Sequence, residues 1–355
     1  MKNKIVRIKD IAEKAMVSTG TVDRVLHNRG KVAEDVKDRV LRIIRELNYE
    51  PNYEARALGS NRVYTIAALI PDYTYDPYWY DPKTGIDKAA RDLAQYGVTV
   101  SQHFFIQDKP DTFIRKAEEI TELRPDGVVL APVFYKEALP FLERWRKLGI
   151  PFVIFNTQLE DSKPLCYIGQ DSYQSGLLAG RLVHYGQPES CSVLLVHIDE
   201  DLGNSAHLVK KEEGFRDYFE HNNLHGKYVI RRLELKRRDY LVFVKQLDAL
   251  IENNPDLKCI YVTTSKGYEI AAYLEQRGID SIKVIGYDLV PKNIYFINKG
   301  IISFVINQHP AGQGYWSVHH LSDHLVFKKD ISTVRYLPLD IITKENLTYY
   351  MNEGF

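Results

Sequence analysis

The chain has 355 residues, which exceeds one ordinary hydrophobic core and predicts two or three domains. Hydrophobic residues make up 45% and charged residues 26%, a globular composition, and no apolar run is long enough for a transmembrane helix. The N-terminal segment lacks the apolar stretch of a secretory signal, and Cys166, Cys191 and Cys259 form no CxxC pair. We therefore expect a cytoplasmic protein with free thiols and no zinc finger.

Charge is unevenly distributed along a chain whose net charge is zero. Residues 1–62 hold 14 lysines and arginines against 9 aspartates and glutamates, so they carry five excess positive charges and the remainder carries five negative ones. A basic head on an acidic body favours contact between the head and a polyanion. A solvated surface with chance asymmetry is the alternative interpretation of the charge alone.

The head begins with the segment IKDIAEKAMVSTGTVDRVL, residues 8–26. Apolar residues recur there at helical spacing, and the pattern predicts three helices over about 9–15, 19–27 and 34–47. Ser18 is a suitable N-cap for the second helix because its hydroxyl can accept a backbone N–H. The tight connection before Ser18 predicts a helix-turn-helix, whose second helix lies in the DNA major groove. An ordinary packing motif of two helices is the alternative.

The outward face of the second helix is predicted to carry Thr19, Gly20, Asp23, Arg24 and His27. Arg24 can bind guanine O6 and N7 bidentately, and Thr19 can contact a base edge. Phosphate contacts, which fix register rather than sequence, are predicted for Lys9, Thr21, Asn28 and Arg29, with Ser18 beside them.

The head resembles the N-terminal signature of the lactose-repressor (LacI) family of bacterial regulators. The resemblance rests on Ile8, Asp10, Ile11, Ala12, Ala15, Val17, Ser18, Thr21, Val22, Val25 and Leu26, and on LNYEPNYEARAL at residues 47–58. It implies a DNA-binding domain over 1–50. Three positions depart from the family pattern: Asp23 replaces a common Ser, Gly20 a base-reading side chain, and Ala33 a Ser cap.

Residues 51–62 are predicted to form a short helix and linker. Pro51 ends the third helix, and Asn52 can cap a helix through Leu58. The family resemblance implies that this hinge helix folds on the operator, pairs with that of a second subunit, and inserts Leu58 between base pairs of the minor groove. Asn52, Ala55 and Arg56 are further candidates for DNA contact on this helix.

From Tyr64 the chain alternates apolar strands with amphipathic helices, as two parallel sheets covered on both faces do. The predicted strands are 64–71, 98–105, 127–132, 151–156, 167–171, 192–197, 228–235, 259–264, 283–288 and 303–308. We expect two α/β lobes with a cleft between them over residues 63–355. Ligands of open α/β sheets bind beyond the carboxyl ends of the strands.

The body resembles the periplasmic-binding-protein-like (type I) core of the same family, of the ribose-binding type. The resemblance implies that Tyr78 and Trp79 stack on the ligand, Asp288 accepts from a hydroxyl and Gln308 contributes an amide. Asn156-Thr157 and Thr263-Thr264-Ser265 stand where ribose binders have Asp-Arg and Gln-Asn-Asp. The full set of effector-binding candidates is Tyr78, Trp79, His103, Asn156, Asp171, Lys211, Thr264, Asp288 and Gln308.

Several ligand classes fit these candidates. A neutral sugar is favoured, since rings stack on aromatic faces and hydroxyls bind Asp, Asn and Gln. A sugar phosphate is disfavoured because the residues at the strand ends are rich in carboxylates and because the few basic candidates, Lys210, Lys211 and Lys266, are not clustered. A purine-like base stays open through the two aromatic rings. Each candidate also has a structural alternative: Tyr78 and Trp79 as core aromatics, Asp288 as a helix cap.

Other functional classes are weaker. The chain lacks a P-loop, a GxGxxG after the first strand, a GxSxG elbow and an HExxH motif, so we expect no enzyme. His320 and His324 have metal-ligand spacing but no third ligand in sequence, and we expect neither metal nor cofactor. A binding-protein receptor without DNA regulation would not need the head. The expected function is therefore a ligand-responsive repressor that binds a palindromic operator as a homodimer or larger assembly, with induction and corepression both open.

Overall fold

The computed structural model describes residues 6–26, 30–47, 49, 53–59, 61–159, 162–199, 205–224 and 226–352. The chain forms two compact units, residues 1–56 and residues 57–355. Within the described part of the chain, no helix is both long enough and apolar enough to span a bilayer.

The first unit is the helical head. Its helices are α1 (Ile8–Ala15), α2 (Thr19–Leu26) and α3 (Glu34–Glu46), within one residue of their predicted bounds. Ile11, Ala15, Val22 and Val40 are fully buried in its core, as helical spacing requires. A further helix, α4 (Tyr53–Leu58), covers the predicted hinge helix.

The turn between α1 and α2 is three residues long. Met16 adopts the left-handed conformation with φ 52°, and the Val17 N–H donates to the Ala12 carbonyl over 3.0 Å. The Ser18 hydroxyl then accepts the Thr21 N–H over 3.1 Å, which confirms Ser18 as the cap. Ala33 precedes α3 without a side-chain cap, also as predicted.

The second unit contains twelve described strands in two six-stranded sheets. The strands are β1 (Tyr64–Pro71), β2 (Val98–Phe105), β3 (Gly127–Leu130), β4 (Phe152–Phe155), β5 (Cys166–Gly169), β6 (Cys191–Ile198), β7 (Tyr228–Leu235), β8 (Leu257–Val262), β9 (Lys283–Tyr287), β10 (Ile302–Asn307), β11 (Val334–Tyr336) and β12 (Asp340–Ile342). The helices are α5 (Tyr80–Leu93), α6 (Pro110–Leu123), α7 (Tyr135–Lys147), α8 (Ser172–Gly186), α9 (Ala206–His221), α10 (Tyr240–Glu252), α11 (Gly267–Arg277), α12 (Pro291–Asn298), α13 (Pro310–Leu325) and α14 (Leu347–Asn352).

Each sheet is the centre of one lobe. The first lobe has the strand order β11-β5-β4-β3-β1-β2 with every pair parallel. The second has the order β12-β10-β9-β8-β6-β7, in which β12 pairs with β10 antiparallel. The sequence analysis missed β11 and β12 because three-residue edge strands leave too little periodicity to detect.

The chain passes between the lobes after β5, after β10 and between β11 and β12. Two of these crossings are joined, because Gln170 Nε2 donates to Gln308 Oε1. Gln308 also donates from Nε2 to Asp288 Oδ2 over 2.5 Å. A buried amide–carboxylate chain therefore connects the crossings to the end of β9.

Helices α8 and α9 of the second lobe pack backbone against backbone. A Cβ on Gly214 would stand 2.1 Å from the Tyr173 carbonyl oxygen, and one on Gly176 would stand 2.2 Å from the Lys211 carbonyl oxygen. Both distances are far shorter than any real Cβ contact, so only glycine permits this approach. The two glycines thereby fix the position of α9 and of the side chains it carries.

Candidate functional site

The head presents one face of α2 to solvent. Thr19, Gly20 and Arg24 are exposed, and Asp23 is half-buried. The Arg24 Nε donates to the Gly20 carbonyl over 3.2 Å, which lays the guanidinium along its own helix. The Arg24 guanidinium is the charged group at the exposed surface of this helix.

The other DNA-binding candidates fall in three groups. Lys9 is exposed on α1 and lies 3.9 Å from Glu13, and the Thr21 hydroxyl is bonded to Ser18 over 2.9 Å. Leu58 ends α4 with 56% of its surface exposed. The remaining candidates lie outside the described residues or have side chains outside them: His27, Asn28, Arg29, Asn52, Ala55 and Arg56.

A cleft with about 560 Å³ of space, part of it open to solvent, lies between the two lobes of the body and is called the cavity below. Seven of the nine predicted effector-binding residues line it: Tyr78, Trp79, Asn156, Lys211, Thr264, Asp288 and Gln308. The first lobe supplies the aromatic wall and the second lobe the charged one. The strand-end rule therefore located the cavity correctly.

The aromatic wall stands on a short 3₁₀ turn, Pro77–Trp79, that follows β1. Asp76 caps this turn by accepting the Tyr78 N–H over 3.1 Å. Tyr78 and Trp79 are more than nine-tenths buried and meet edge to face, 5.0 Å between centroids. Asn156 Nδ2 donates to the Tyr78 hydroxyl over 2.6 Å, while Trp79 Nε1 donates to Gln107 over 3.2 Å. These hydrogen bonds and the edge-to-face contact fix the orientation of both rings.

Two strand ends turn into the cavity through left-handed backbone. Asn156 follows β4 with φ 70°, and Asp288 follows β9 with φ 62°. Non-glycine residues in this region are uncommon, are enriched in Asn and Asp, and cluster at functional sites. Burial raises the pKa of the Asp288 carboxyl to about 7, although the Lys211 ammonium opposes that rise. Burial therefore favours the neutral form of Asp288, against the attraction of the Lys211 ammonium.

The charged wall holds two lysines and a histidine. Lys211 on α9 is 2% exposed, its Nζ donates to the Thr263 carbonyl over 3.0 Å, and it lies 3.5 Å from the Tyr287 ring centroid. Lys266 Nζ lies 3.7 Å from Asp76 Oδ2 of the first lobe. Burial lowers the pKa of His207 to about 3, and Lys211 adds to that effect. His207 is therefore a neutral hydrogen-bonding group.

Two predicted residues are not part of this cavity. His103 lies on β2, where its Nε2 bonds the Ser101 hydroxyl over 3.0 Å. Asp171 caps α8 by accepting the Gln174 N–H over 3.0 Å and lines a neighbouring cavity with Lys210. Both residues were predicted from strand ends. His103 instead lies within β2, two residues before its end, and the Asp171 side chain turns toward the helix that it caps.

The cavity also contains residues that the candidate set omitted. Asp76, Val133, Thr157, Thr263, Ser265 and Lys266 line it and follow predicted strands. Gln107 lines it as well and lies two residues beyond β2, so the strand-end rule covers it. Ser205 and His207 line it at the start of α9 and follow no strand directly, so the spatial meeting of the lobes reveals them.

His320 and His324 have the sequence spacing of metal ligands. They do not belong to a metal site in the part of the chain that the structure describes. No three His, Cys, Asp or Glu side chains converge there as metal ligands. The three cysteines are buried and unpaired.

Two family profiles match the chain, one for each unit. Residues 7–52 match the bacterial regulatory proteins of the lacI family, and residues 66–329 match the periplasmic binding protein domain. A crystal structure of a protein from Bacteroides fragilis, assigned as a LacI transcriptional regulator, is 31% identical with a TM-score of 0.77. The aligned region covers 81% of this chain and 100% of the Bacteroides fragilis chain. The chain belongs to the LacI family. This member of the family is a DNA-binding transcriptional regulator with a two-lobed body of the periplasmic-binding-protein type.

Two further proteins extend the comparison. The ribose operon repressor of Halalkalibacterium halodurans is 26% identical over 95% of this chain and 96% of its own length. A glucose-galactose binding protein from Geobacillus stearothermophilus is 23% identical with a TM-score of 0.70, over 81% of this chain and 99% of its own. At this low identity, the likeness to the binding protein shows only that the body of this LacI-family member has the same fold.

Proposed function

We propose that the protein is a sugar-responsive transcriptional repressor that binds a palindromic operator as a homodimer. The observation that carries the proposal is the polar cavity between the lobes, with a rigid aromatic wall facing hydroxyl-binding side chains, on the same chain as the helix-turn-helix head. The repressor and sugar-binding names of the relatives support the same conclusion. Its place of action is the cytoplasm, where the operator is.

The small size of the head supports the proposal of a dimer. The described face of α2 offers few side chains to base edges, chiefly Thr19 and Arg24. One such face contributes limited specificity, whereas two faces held by a dimer read two half-sites one helical turn apart. The effector then changes operator affinity by its differential affinity for the two states of the body, and the coupling is reciprocal.

Selection of randomised duplexes with the purified full chain, followed by fluorescence anisotropy, tests this function. We expect the selected sites to be palindromic and their affinity to fall steeply between 50 and 200 mM salt, because phosphate contacts release counterions (about 10³–10⁵-fold for six to ten contacts). Selected sites without two-fold symmetry, or a salt-independent affinity, would contradict the proposal.

Leu58 tests the hinge within the same assay. Leu58→Ala should weaken binding to the selected site far more than binding to random DNA, because an inserted wedge acts only on the kinked site. Leu123→Ala is the matched control, since Leu123 on α6 is 64% exposed and Leu58 is 56% exposed, so neither change empties a core. Equal losses on both DNAs would remove the wedge from the mechanism.

A further inference from the structure

A second cavity lies beside the polar cavity of the body, and we call it the tyrosine cavity. It holds about 1510 Å³ of space, part of it open to solvent. The segment that begins α5 lines it from the first lobe, and the start of α12 lines it from the second. Leu289 and Asn307 line the tyrosine cavity, whereas their neighbours Asp288 and Gln308 line the polar cavity. Among the described residues none lines both, so the two spaces are distinct.

Tyrosine rings form part of the surface of this cavity. Tyr73, Tyr80 and Tyr350 line it. Tyr73 and Tyr80 meet edge to face with 5.9 Å between ring centroids, and Tyr73 contacts Phe104 in the same way at 5.6 Å. Tyr80 keeps 54% of its surface exposed although it lines a concave space. Two rings at 66° to each other form a corner, and the faces of such rings attract cations.

Asp81 is the charged group of the tyrosine cavity. Among the described lining residues it is the only carboxylate, and no lysine or arginine accompanies it. The side chain is half-buried, and no described residue donates a hydrogen bond to its carboxylate. Burial raises the pKa of Asp81 to about 6, so the carboxyl is ionised above neutral pH. A half-buried anion without a protein partner is unfavourable, and a cationic ligand would supply that partner.

The basic groups close to this lining are bound elsewhere. Lys83 Nζ donates to Asp87 Oδ2 over 2.6 Å, and Lys292 Nζ lies 4.9 Å from the centroid of the Tyr268 ring. His309 lines the cavity, but its Nε2 bonds Asp340 Oδ2 over 2.7 Å. These contacts leave the charge of the carboxylate to a ligand.

The start of α5 does not account for the position of Asp81. A carboxylate in the first turn of a helix is stabilised by the N–H groups at the helix N-terminus. Here the turn Pro77–Trp79 runs directly into α5, and the Tyr80 N–H donates to the Pro77 carbonyl. Asp76 caps this turn, so the N-terminal N–H groups lie before Asp81 and already have a carboxylate.

We propose that the tyrosine cavity binds a small organic ammonium ion, whose charge pairs with the Asp81 carboxylate while its carbon groups lie against Tyr73 and Tyr80. The inference goes beyond the sugar-responsive function, because it concerns a different cavity and a different class of ligand. Apolar side chains complete the lining, among them Leu289 and Ile294. An inorganic cation would leave that apolar surface unused, whereas an alkyl or aryl ammonium ion covers it.

The test is isothermal titration of the purified full chain with matched ligands, at a pH above the pKa of Asp81. Choline is paired with the alcohol in which a tert-butyl group replaces its trimethylammonium group. Phenethylamine is paired with phenethyl alcohol and with phenylacetate. We expect at least one of the two cations to bind about tenfold or more tightly than its neutral partner, because the alcohol cannot pair with the carboxylate. Phenylacetate should not bind.

Variants locate the bound cation. Asp81→Asn should weaken the cation about tenfold or more and leave the neutral alcohol unchanged. Asp92→Asn is the matched control on the same helix, since Asp92 accepts the Tyr315 hydroxyl over 3.1 Å and does not line the cavity. Tyr80→Leu should weaken the cation about threefold. Tyr75→Leu is its control, since Tyr75 is 62% exposed and lies outside the lining.

Circular dichroism melts of the variants separate loss of fold from loss of the contact. Should Asp81→Asn fail to fold, Tyr80→Leu decides alone. Neutral alcohols that bind as tightly as the cations, no binding by either cation, or a cation affinity that Asp81→Asn leaves unchanged would each overturn this inference. The sugar-responsive function would stand in all of these cases, because it depends on the polar cavity and on the head.

Discussion

The head and the body place their functional residues in opposite ways. In the head, the proposed DNA-reading face lies on a single helix, so Thr19, Gly20 and Arg24 are neighbours in sequence and in space. In the body, the cavity gathers residues as distant as Asp76 and Gln308 from both lobes. A site carried by one helix tolerates changes in backbone packing that a site assembled across two lobes does not.

The largest expected change in stability comes from replacing a glycine of the body with alanine, and the same replacement in the head is the comparison. Gly214→Ala should destabilise the body by about 3 kcal/mol, because the new Cβ would overlap the Tyr173 carbonyl and force α8 from α9. Gly20→Ala should instead stabilise α2 by about 0.5–1 kcal/mol, since its nearest neighbour is the Ser18 hydroxyl at 3.8 Å. Thermal melts measure the first change and hydrogen exchange of α2 amides the second. Equal responses at both sites would contradict the comparison.

The next effect tests the face of α2 itself. Arg24→Ala should cost about 1–3 kcal/mol of operator binding and relax specificity at one base pair. Arg45→Ala is a matched control because the Arg45 Nε also donates to a carbonyl one turn back, that of Leu41 over 3.3 Å, but on α3. Anisotropy on the selected duplex and its single-base variants measures both. A loss from Arg45→Ala that is as sequence-dependent as that from Arg24→Ala would remove α2 as the reader.

Lowering the pH should reduce the stability of the body more than that of the head, because ten of the eleven histidines lie beyond residue 56. Burial lowers the pKa of His207 to about 3. Below pH 6.5 the His207 imidazole therefore binds a proton in the unfolded chain but stays neutral in the folded body. Stability should therefore fall as pH drops from about 6.5 toward 3, by about 1.4 kcal/mol per pH unit for this group where it titrates fully in the unfolded chain.

Urea unfolding at stepped pH measures that slope, and His207→Gln should make it shallower by one proton. Glu212 adds a second, lower window: hydrogen bonds from His197 and Arg216 lower its pKa to about 2, so its contribution is lost between about pH 4.5 and 2. An unchanged slope in His207→Gln above pH 4.5 would show that the imidazole is not held neutral.

The smallest expected effect lies at the start of α3. Ala33 makes no side-chain cap, so Ala33→Ser should add about 0.5–1 kcal/mol to the head by accepting a backbone N–H of the first turn. Hydrogen exchange of the α3 amides in the full chain should slow by roughly 2- to 5-fold. Body amides provide the internal reference. Unchanged or faster exchange in α3 would show that the serine does not cap.

The sequence determined the local elements of both regions. Ser18, the helical stripes and the strands β1 to β10 follow from hydrogen-bond chemistry and hydrophobic period over a few residues. The edge strands β2 and β7 are only partly buried, which that period did not show. The proposed DNA-reading face is local in the same way, and the strand-end rule located most of the cavity, including Asn156 and Asp288. Short edge strands such as β11 escaped because three residues show no period.

Only the tertiary structure decided which side chains meet. Lys211 and Lys266 share a cavity because α9 is fixed against α8 at Gly176 and Gly214 and because β8 ends beside it, which no spacing along the chain encodes. For the same reason Asp171, a plausible ligand residue in sequence, became a helix cap. Local periodicity sets the elements, whereas charge, burial and protonation at the cavity arise from contacts between segments that are far apart in the chain.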